Sequence, residues 1–375
     1  MKNKKLPFLL ALFSITLVLS QCKKDQSIIV KDEDPGPEWP GATPYILQIP
    51  EGFPPNPNIP ADNPMTVEGV KLGRFLFYDK RLSKDLSMSC GSCHLQRNAF
   101  SDKEIRSIGI HGEQTRRHSM ALFNLAWQEH FFWDGRAMSL EEQALQPVTD
   151  KIELDNDWET VVARLETDSV YPEMFKAAFG PGPISKENAA KAIAQFERSI
   201  VSANSEFDQV VRLQTKADFN DPGASRAWNF FNSDIGGDCF HCHGVGETSF
   251  LMGAFGNDLQ FSNNGLDDVA DQLEDKGYEE VSGDPNDRAK FKIGSLRNIF
   301  FSSPYMHDGS IPNLDSLVEF YNFGGHVTPT TDPNMKAAGK GRQWTREQKD
   351  DLKRFFETLT DYEYLQNPDY ADPFE

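Results

Sequence analysis

This chain of 375 has few strand signals, little positive charge, only five cysteines and, past its first twenty-two residues, no apolar run long enough to cross a membrane. The missing apolar runs exclude a spanning helix from everything beyond the start of the chain. The 38 basic residues stand against 57 acidic ones, a net charge of −19, which argues against nucleic acid as a partner and against adhesion to anionic lipid. An acidic surface does permit steering of a basic electron-donor protein. The scarcity of alternating β-branched and aromatic runs argues against a fold built on sheets.

Four of the five cysteines are concentrated in two copies of Cys-x-x-Cys-His: Cys90-Gly91-Ser92-Cys93-His94 and Cys239-Phe240-His241-Cys242-His243. This spacing is the attachment site of a c-type haem. The two thiols add to the two vinyl groups of one porphyrin, and the adjacent histidine becomes the proximal iron ligand. Cys-x-x-Cys also serves zinc sites and redox dithiols. A four-thiolate zinc ribbon, however, leaves both histidines without a reason to be there. Two covalent haems are the expectation.

The fifth cysteine lies at the start. Lys2, Lys4 and Lys5 form a basic n-region and Leu6 to Leu19 an apolar run, too short to span a bilayer and suited to a secretory signal. Cys22 follows Leu19-Ser20-Gln21, which resembles a bacterial lipoprotein box, although Gln21 departs from the small residue usual there. The expected location is the periplasm or cell envelope, with membrane attachment by a lipid on Cys22 alone. Residues 23–62 are polar and proline-rich and read as a tether with little structure of its own.

The remainder is long enough for two domains of ordinary size, and it repeats itself. The cysteine motifs begin at 90 and 239, and each is followed by a matching block. In the first, Asn124, Trp133-Asp134-Gly135 and Leu140 align without a gap on Asn298, His307-Asp308-Gly309 and Leu314 of the second. Helical spacing begins near Thr66 and continues over 185–202 and 345–359, and capping signals open helices at Ser139, Asn313 and Thr345. The expected fold class is mainly α: two cytochrome c-like haem domains related by duplication, with long ordered loops. Boundaries fall at 63–205 for the N-terminal domain and 206–365 for the C-terminal one.

Several blocks together resemble the bacterial diheme cytochrome c peroxidases, a superfamily that includes the MauG-type diheme oxidases. They are Gly73-Arg74-Phe75-Leu76-Phe77-Tyr78-Asp79, Met88-Ser89-Cys90-Gly91-Ser92-Cys93-His94, Phe132-Trp133-Asp134-Gly135-Arg136-Ala137, Leu140-Glu141-Glu142-Gln143 and Leu296-Arg297-Asn298. The resemblance makes the haem on His94 the peroxide site and that on His243 an electron store. It implies Glu153 as acid–base, Gln143 beside it, and Trp133 between the haems. Cleaving an O–O bond needs a proton taken from one oxygen and delivered to the other, which a shielded carboxylate can do. The bland alternatives are a solvated turn for Glu153, a helix-surface amide for Gln143 and a packed core aromatic for Trp133.

The resemblance leaves two ligand questions open. His111, in a glycine-flanked loop, falls near the family's gating histidine, though a surface loop residue is an equal reading; His118 and His130 look less like ligands. On the second haem, Tyr321 stands where peroxidases carry a methionine and MauG-type enzymes a tyrosine; Met306 and His326 compete. A phenolate favours ferric iron, and methionine favours ferrous. Calcium is implied through the carbonyls of Ser302 and Pro304, but the family's asparagine position holds His118, a poor ligand for a hard cation. The leading expectation is an enzyme that reduces hydrogen peroxide with electrons from a small cytochrome or cupredoxin. The alternatives are a MauG-type oxidase of a protein or organic substrate, and a non-enzymatic diheme electron carrier. Homologous peroxidases are often homodimers.

Overall fold

The computed structural model describes residues 39–244, 261–268 and 274–375. The signal segment and Cys22 lie outside them. Helix α1 (Val67–Tyr78) starts where its cap predicts, with the Thr66 side chain accepting from Gly69 N–H. There follow α2 (Cys90–Cys93), α3 (Leu140–Thr149), α4 (Trp158–Glu166), α5 (Tyr171–Phe179), α6 (Lys186–Ser199), α7 (Pro222–Phe231) and α8 (Phe240–His243). The chain ends with α9 (Glu279–Ser282), α10 (Leu314–Phe323), α11 (Arg346–Thr358) and α12 (Tyr362–Gln366). Among the described residues the sheet is one antiparallel pair, β1 (Phe261–Ser262) with β2 (Phe291–Lys292). The mainly helical class with long ordered loops is what the structure has.

The capping signals act as their chemistry dictates. Ser139, Ser185 and Asn313 each accept from the third residue beyond, and Thr345 forms a reciprocal box with Gln348. At Ser139 the expected box is only half made, because Glu142 turns back to the N–H of Met138 instead of the cap residue. Helices α4 and α5 had no counterpart in the sequence reading.

Two large hydrophobic cores result among the described residues, with a smaller cluster of Leu125, Phe131, Ala137, Leu140 and Ala194. In the first, Leu72, Leu76 and Phe77 of α1 pack on Ile193 and Phe196 of α6. Gly73 lets the two helices meet, since a Cβ there would stand 1.9 Å from the carbonyl oxygen of Ala192. In the second, Ala227 and Phe231 of α7 pack on Leu352 and Phe355 of α11, with Leu317 and Val318 of α10. Each fully buried Leu or Phe contributes about 1.5–3 kcal/mol. Thus α1 and α6 of one core correspond to α7 and α11 of the other.

The repeat seen in sequence is also a repeat of backbone geometry. Asn124 and Asn298 are both left-handed, at φ 55° and 58°, as are Phe132 and Met306 at 66° and 75°, and Gly135 and Gly309 at 70° and 69°. The bridge Phe131–Ala137 matches Tyr305–Ile311.

The cores exchange end segments, which the expected boundaries at 62 and 365 do not anticipate. Residues 40–62 carry no helix, as a tether would, yet Phe53 is buried in the second core against Trp127, whose Nε1–H donates to the Pro54 carbonyl at 2.9 Å. Tyr364 and Leu365 of α12 are buried in the first core, where the Tyr364 hydroxyl donates to Leu122 O at 2.9 Å. Buried aromatic area draws these strands of chain in, and local polarity does not forecast it.

Candidate functional site

Both Cys-x-x-Cys-His sets line one cavity of about 760 Å³ that runs between the two cores. In α2, one turn of helix puts Cys90 and Cys93 on a common side, and His94 follows as the C-cap. His94 Nδ1 lies 2.8 Å from the carbonyl of Phe100, so Nδ1–H donates and Nε2 keeps its lone pair for a ligand role. Burial lowers the pKa of His94 and takes that of His243 down to about 4, which keeps both imidazoles neutral. The same burial pushes Cys93 and Cys239 up to about 12 and Cys242 to about 11. No disulfide joins these four cysteines.

The donor set fits a haem at each end: a thiol pair and a neutral imidazole facing an apolar-lined space. It does not fit a shared zinc site. Among the described residues the only group of three convergent ligand types is Asp234, Asp238 and His241, and Lys336 already stands 3.2 Å from Asp238 there.

Glu153 and Gln143 line the same cavity as His94. Gln143 is carried by α3. Glu153 sits in a turn just beyond it, held by Asp150 Oδ1, which accepts from the N–H groups of Ile152 and Glu153 at 2.8 and 3.2 Å. Burial, then the charge of Asp150, raises the Glu153 carboxyl to about 7. A carboxyl there can exchange a proton near neutral pH. The 108–113 loop buttresses this turn: Ile110 N–H donates to Glu153 O at 3.2 Å, and a Cβ on Gly109 would stand 1.6 Å from the Ile152 carbonyl oxygen.

His111 is in that loop but does not line the cavity. Its Nε2 lies 2.9 Å from Asp155 Oδ2, in an outer cluster where Asp155 also pairs with Lys84 and Lys151 at 2.7 and 2.9 Å. His130 is half-buried, its ring edge-on to Phe261 at 5.7 Å.

Trp133 lies where the halves join. Its indole N–H donates to the His118 carbonyl at 2.8 Å, its own carbonyl accepts from Lys292 N–H at 2.8 Å, and His118 N–H donates to His307 O at 2.8 Å. Beside them Arg117 is buried between Asp134 and Asp275, with N–O distances of 2.6 and 2.7 Å.

The implied calcium does not fit this junction. Ser302 and Pro304 line the cavity, but the His118 ring is engaged on both sides, by Ser101 Oγ at 3.0 Å and Glu104 O at 3.1 Å. The carboxylates close by, Asp134 and Asp275, are already paired with Arg117, and further with Arg136 and Arg116 respectively. A hard cation favours oxygen ligands, and the imidazole at the family's asparagine position supplies none.

In the second half Tyr321 of α10 and Met306 both line the cavity, and His326 does not. Asn264 also lines the cavity, and its Nδ2 donates to Met306 Sδ at 3.3 Å. Burial raises the Tyr321 phenol well above its ordinary value.

Three lining residues escaped the sequence reading. Glu197 of α6 is buried with Oε2 unpartnered, and burial raises it to about 8. Lys292 is buried in β2. Asn264 follows β1. A glutamate inside the otherwise apolar face of 189–200 was the available signal for the first; the other two had none.

Comparison with known proteins now becomes informative. A sequence model described as "Di-haem cytochrome c peroxidase" matches residues 67–216. The methylamine utilization protein MauG of Methylorubrum extorquens is 33% identical over 304 residues, 80% of each chain. The cytochrome c551 peroxidase of Nitrosomonas europaea is 32% identical over 265 residues, 70% of this chain and 75% of that one. The crystal structure of a MauG-like protein associated with microbial copper homeostasis superposes with a TM-score of 0.77 at 34% identity, covering 88% of this chain and all of that one.

Proposed function

The chain belongs to the di-haem cytochrome c peroxidase family, and from that premise we propose a peroxidase that reduces hydrogen peroxide to two waters with two electrons and two protons. The observation that carries this reading is one cavity lined at once by both thiol–imidazole sets, Glu153 and Gln143. The electrons come from a small cytochrome or cupredoxin donor. The cysteine S–H groups add across the vinyl bonds, so both cofactors are covalent c-type haems.

When bound, each haem supplies an iron that passes single electrons, and one with an open face takes up peroxide. His94 and His243 would each hold one of these irons through the imidazole. Glu153 accepts the proton of the near peroxide oxygen and returns it to the leaving oxygen, so that water departs. Gln143 holds the peroxide by its amide. Trp133, bonded through its N–H to the junction between halves, carries oxidising equivalents across it. Calcium has no part in the proposal. Delivery to the periplasm rests on residues 1–22, with lipid attachment at Cys22.

A second reading is favoured by one observation: Tyr321 of α10 lines the cavity. If Tyr321 held the second haem's iron, its phenolate would lower that haem's potential, which would suit a MauG-type oxidase acting on a protein or organic substrate. Low-temperature electron paramagnetic resonance of the diferric protein, before and after one equivalent of peroxide, tests both. Two low-spin signals that persist until one electron is added support a gated peroxidase, and would require the His111 loop to move. A high-spin signal at rest, with both ferric signals lost on peroxide, supports the oxidase. Indifference to peroxide in every redox state would leave an electron carrier and sink both.

A further inference from the structure

Five cationic side chains line the cavity, and four of them face carboxylates. Arg116 pairs with Glu280 at 2.5 Å, Arg117 with Asp134 and Asp275 at 2.6 and 2.7 Å, and Arg136 with Asp134 at 3.0 Å. Arg342 approaches Asp238 at 3.9 Å. The fifth, Lys292, has no carboxylate among the described residues. Its Nζ donates to Gln128 Oε1 and to the His130 carbonyl, and it lies 5.5 Å from the centre of the Phe131 ring.

These partners are neutral, and Lys292 is 9% exposed. A buried ammonium with only neutral acceptors is costly, because dipoles replace water poorly and no opposite charge compensates. Burial alone accordingly pulls the amine down to about 7. An anion brought into the cavity would reverse that penalty. The cavity's expected occupants carry such anions, since each haem bears two propionate carboxylates on the edge away from its vinyl groups.

We propose that Lys292 is the counter-ion of a haem propionate at the junction between the two halves. The assignment rests on the reading that the cavity holds two haems. Its place follows from the backbone: Lys292 N–H donates to the Trp133 carbonyl at 2.8 Å, so the lysine belongs to the strip of chain joining the halves. The side chain thereby couples three things: the charge of one haem edge, the Gln128–His130 segment, and the strand that holds Trp133. A cation at a propionate offsets the carboxylate's negative charge near the iron. It therefore favours the ferrous state and raises that haem's potential, against the opposing effect of any phenolate on the second iron. Lys292 is on this argument a positioning and electrostatic residue and touches no reacting atom.

The test begins with haem quantification on the wild-type protein. Fewer than two haems per chain would mean that the haem reading itself fails. With two present, spectroelectrochemical titration is run on wild type, Lys292→Gln, Lys292→Arg and Gln128→Leu. Glutamine keeps a donor for the neutral acceptors and loses the charge. The expected result is a downward shift of one of the two midpoint potentials, about tenfold in the reduction equilibrium or about 59 mV for one electron. Arginine restores it, and Gln128→Leu, which keeps the charge, leaves both potentials in place. Unchanged potentials in Lys292→Gln would overturn the assignment, as would an equal shift in Gln128→Leu, which would make the effect structural. Should the glutamine variant fail to accumulate, Lys292→Met gives the same readout, since it fills the stem's volume and asks for no partner.

Discussion

Asn124 and Asn298 close onto the same residue, Ser202. Asn124 exchanges two hydrogen bonds with the Ser202 backbone, both at 2.9 Å, and Asn298 Nδ2 donates to Ser202 Oγ at 3.0 Å. Both asparagines are fully buried and left-handed, so corresponding points of the two halves are fastened at one place in the linker after α6.

Asn298→Ala is expected to cost about 3 kcal/mol, because it strands the buried Asp361 N–H, removes one of the two partners of Ser202 Oγ and forces alanine to φ 58°. Asn298→Gly should recover about 1 kcal/mol of that by relieving the backbone term. Denaturant titration of the two variants measures the difference. Equal losses would show that the hydrogen bonds account for the whole effect.

Glu153→Gln should lower kcat for peroxide by about 10²–10⁴-fold with a smaller change in KM. The wild-type carboxyl, raised to about 7, must be ionised to accept a proton, so activity should rise with pH through about 7. Steady-state rates from pH 5 to 9 test this; a wild-type profile flat across that range would count against Glu153 as the base.

Glu197 makes an opposite kind of statement, about stability. Its folded-state pKa, raised to about 8 by burial, lies above the unfolded value of about 4.3, so the folded state binds the proton more tightly. That advantage is whole below about pH 4.3 and is lost as pH rises through about 8. Glu197→Gln should thus be stabilising at pH 9, on the order of a few kcal/mol, relative to its effect at pH 4. Thermal unfolding at the two pH values reads it; a pH-independent effect would mean that Glu197 gains a charged partner in the cavity.

The protein is expected to be indifferent to calcium chelators. The His118 ring is engaged by Ser101 and Glu104, and Arg117 already supplies the cation between Asp134 and Asp275. Metal analysis after purification, and melting curves with and without chelator, should show no calcium and no shift. One tightly held calcium per chain, removable with a loss of stability, would refute this.

The two candidate haem-attachment sites were legible because the chemistry proposed for them asks for a contiguous motif. Cys90, Cys93 and His94 are neighbours in the chain, and so, separately, are Cys239, Cys242 and His243. The helix starts at Thr66, Ser185, Asn313 and Thr345 were legible for a similar reason, since a cap bonds a residue three places on. Gln143, Glu153 and Trp133 came from spacing within a resembling block, and all three line the cavity.

What sequence could not decide was anything set by contacts between distant segments. The placing of His111 against Asp155 depends on a loop folding over a turn 44 positions away. The commitment of the His118 ring, Lys292 with no carboxylate partner among the described residues, beside Gln128 and His130, and Asn264 against Met306 likewise join residues far apart in the chain. So does the burial of Phe53 in the second core and of Tyr364 and Leu365 in the first, each against segments far away in the chain. Covalent and capping chemistry is local and leaves a pattern in the chain. Burial and charge pairing are sums over whatever the fold brings near, and only the tertiary structure performs that sum.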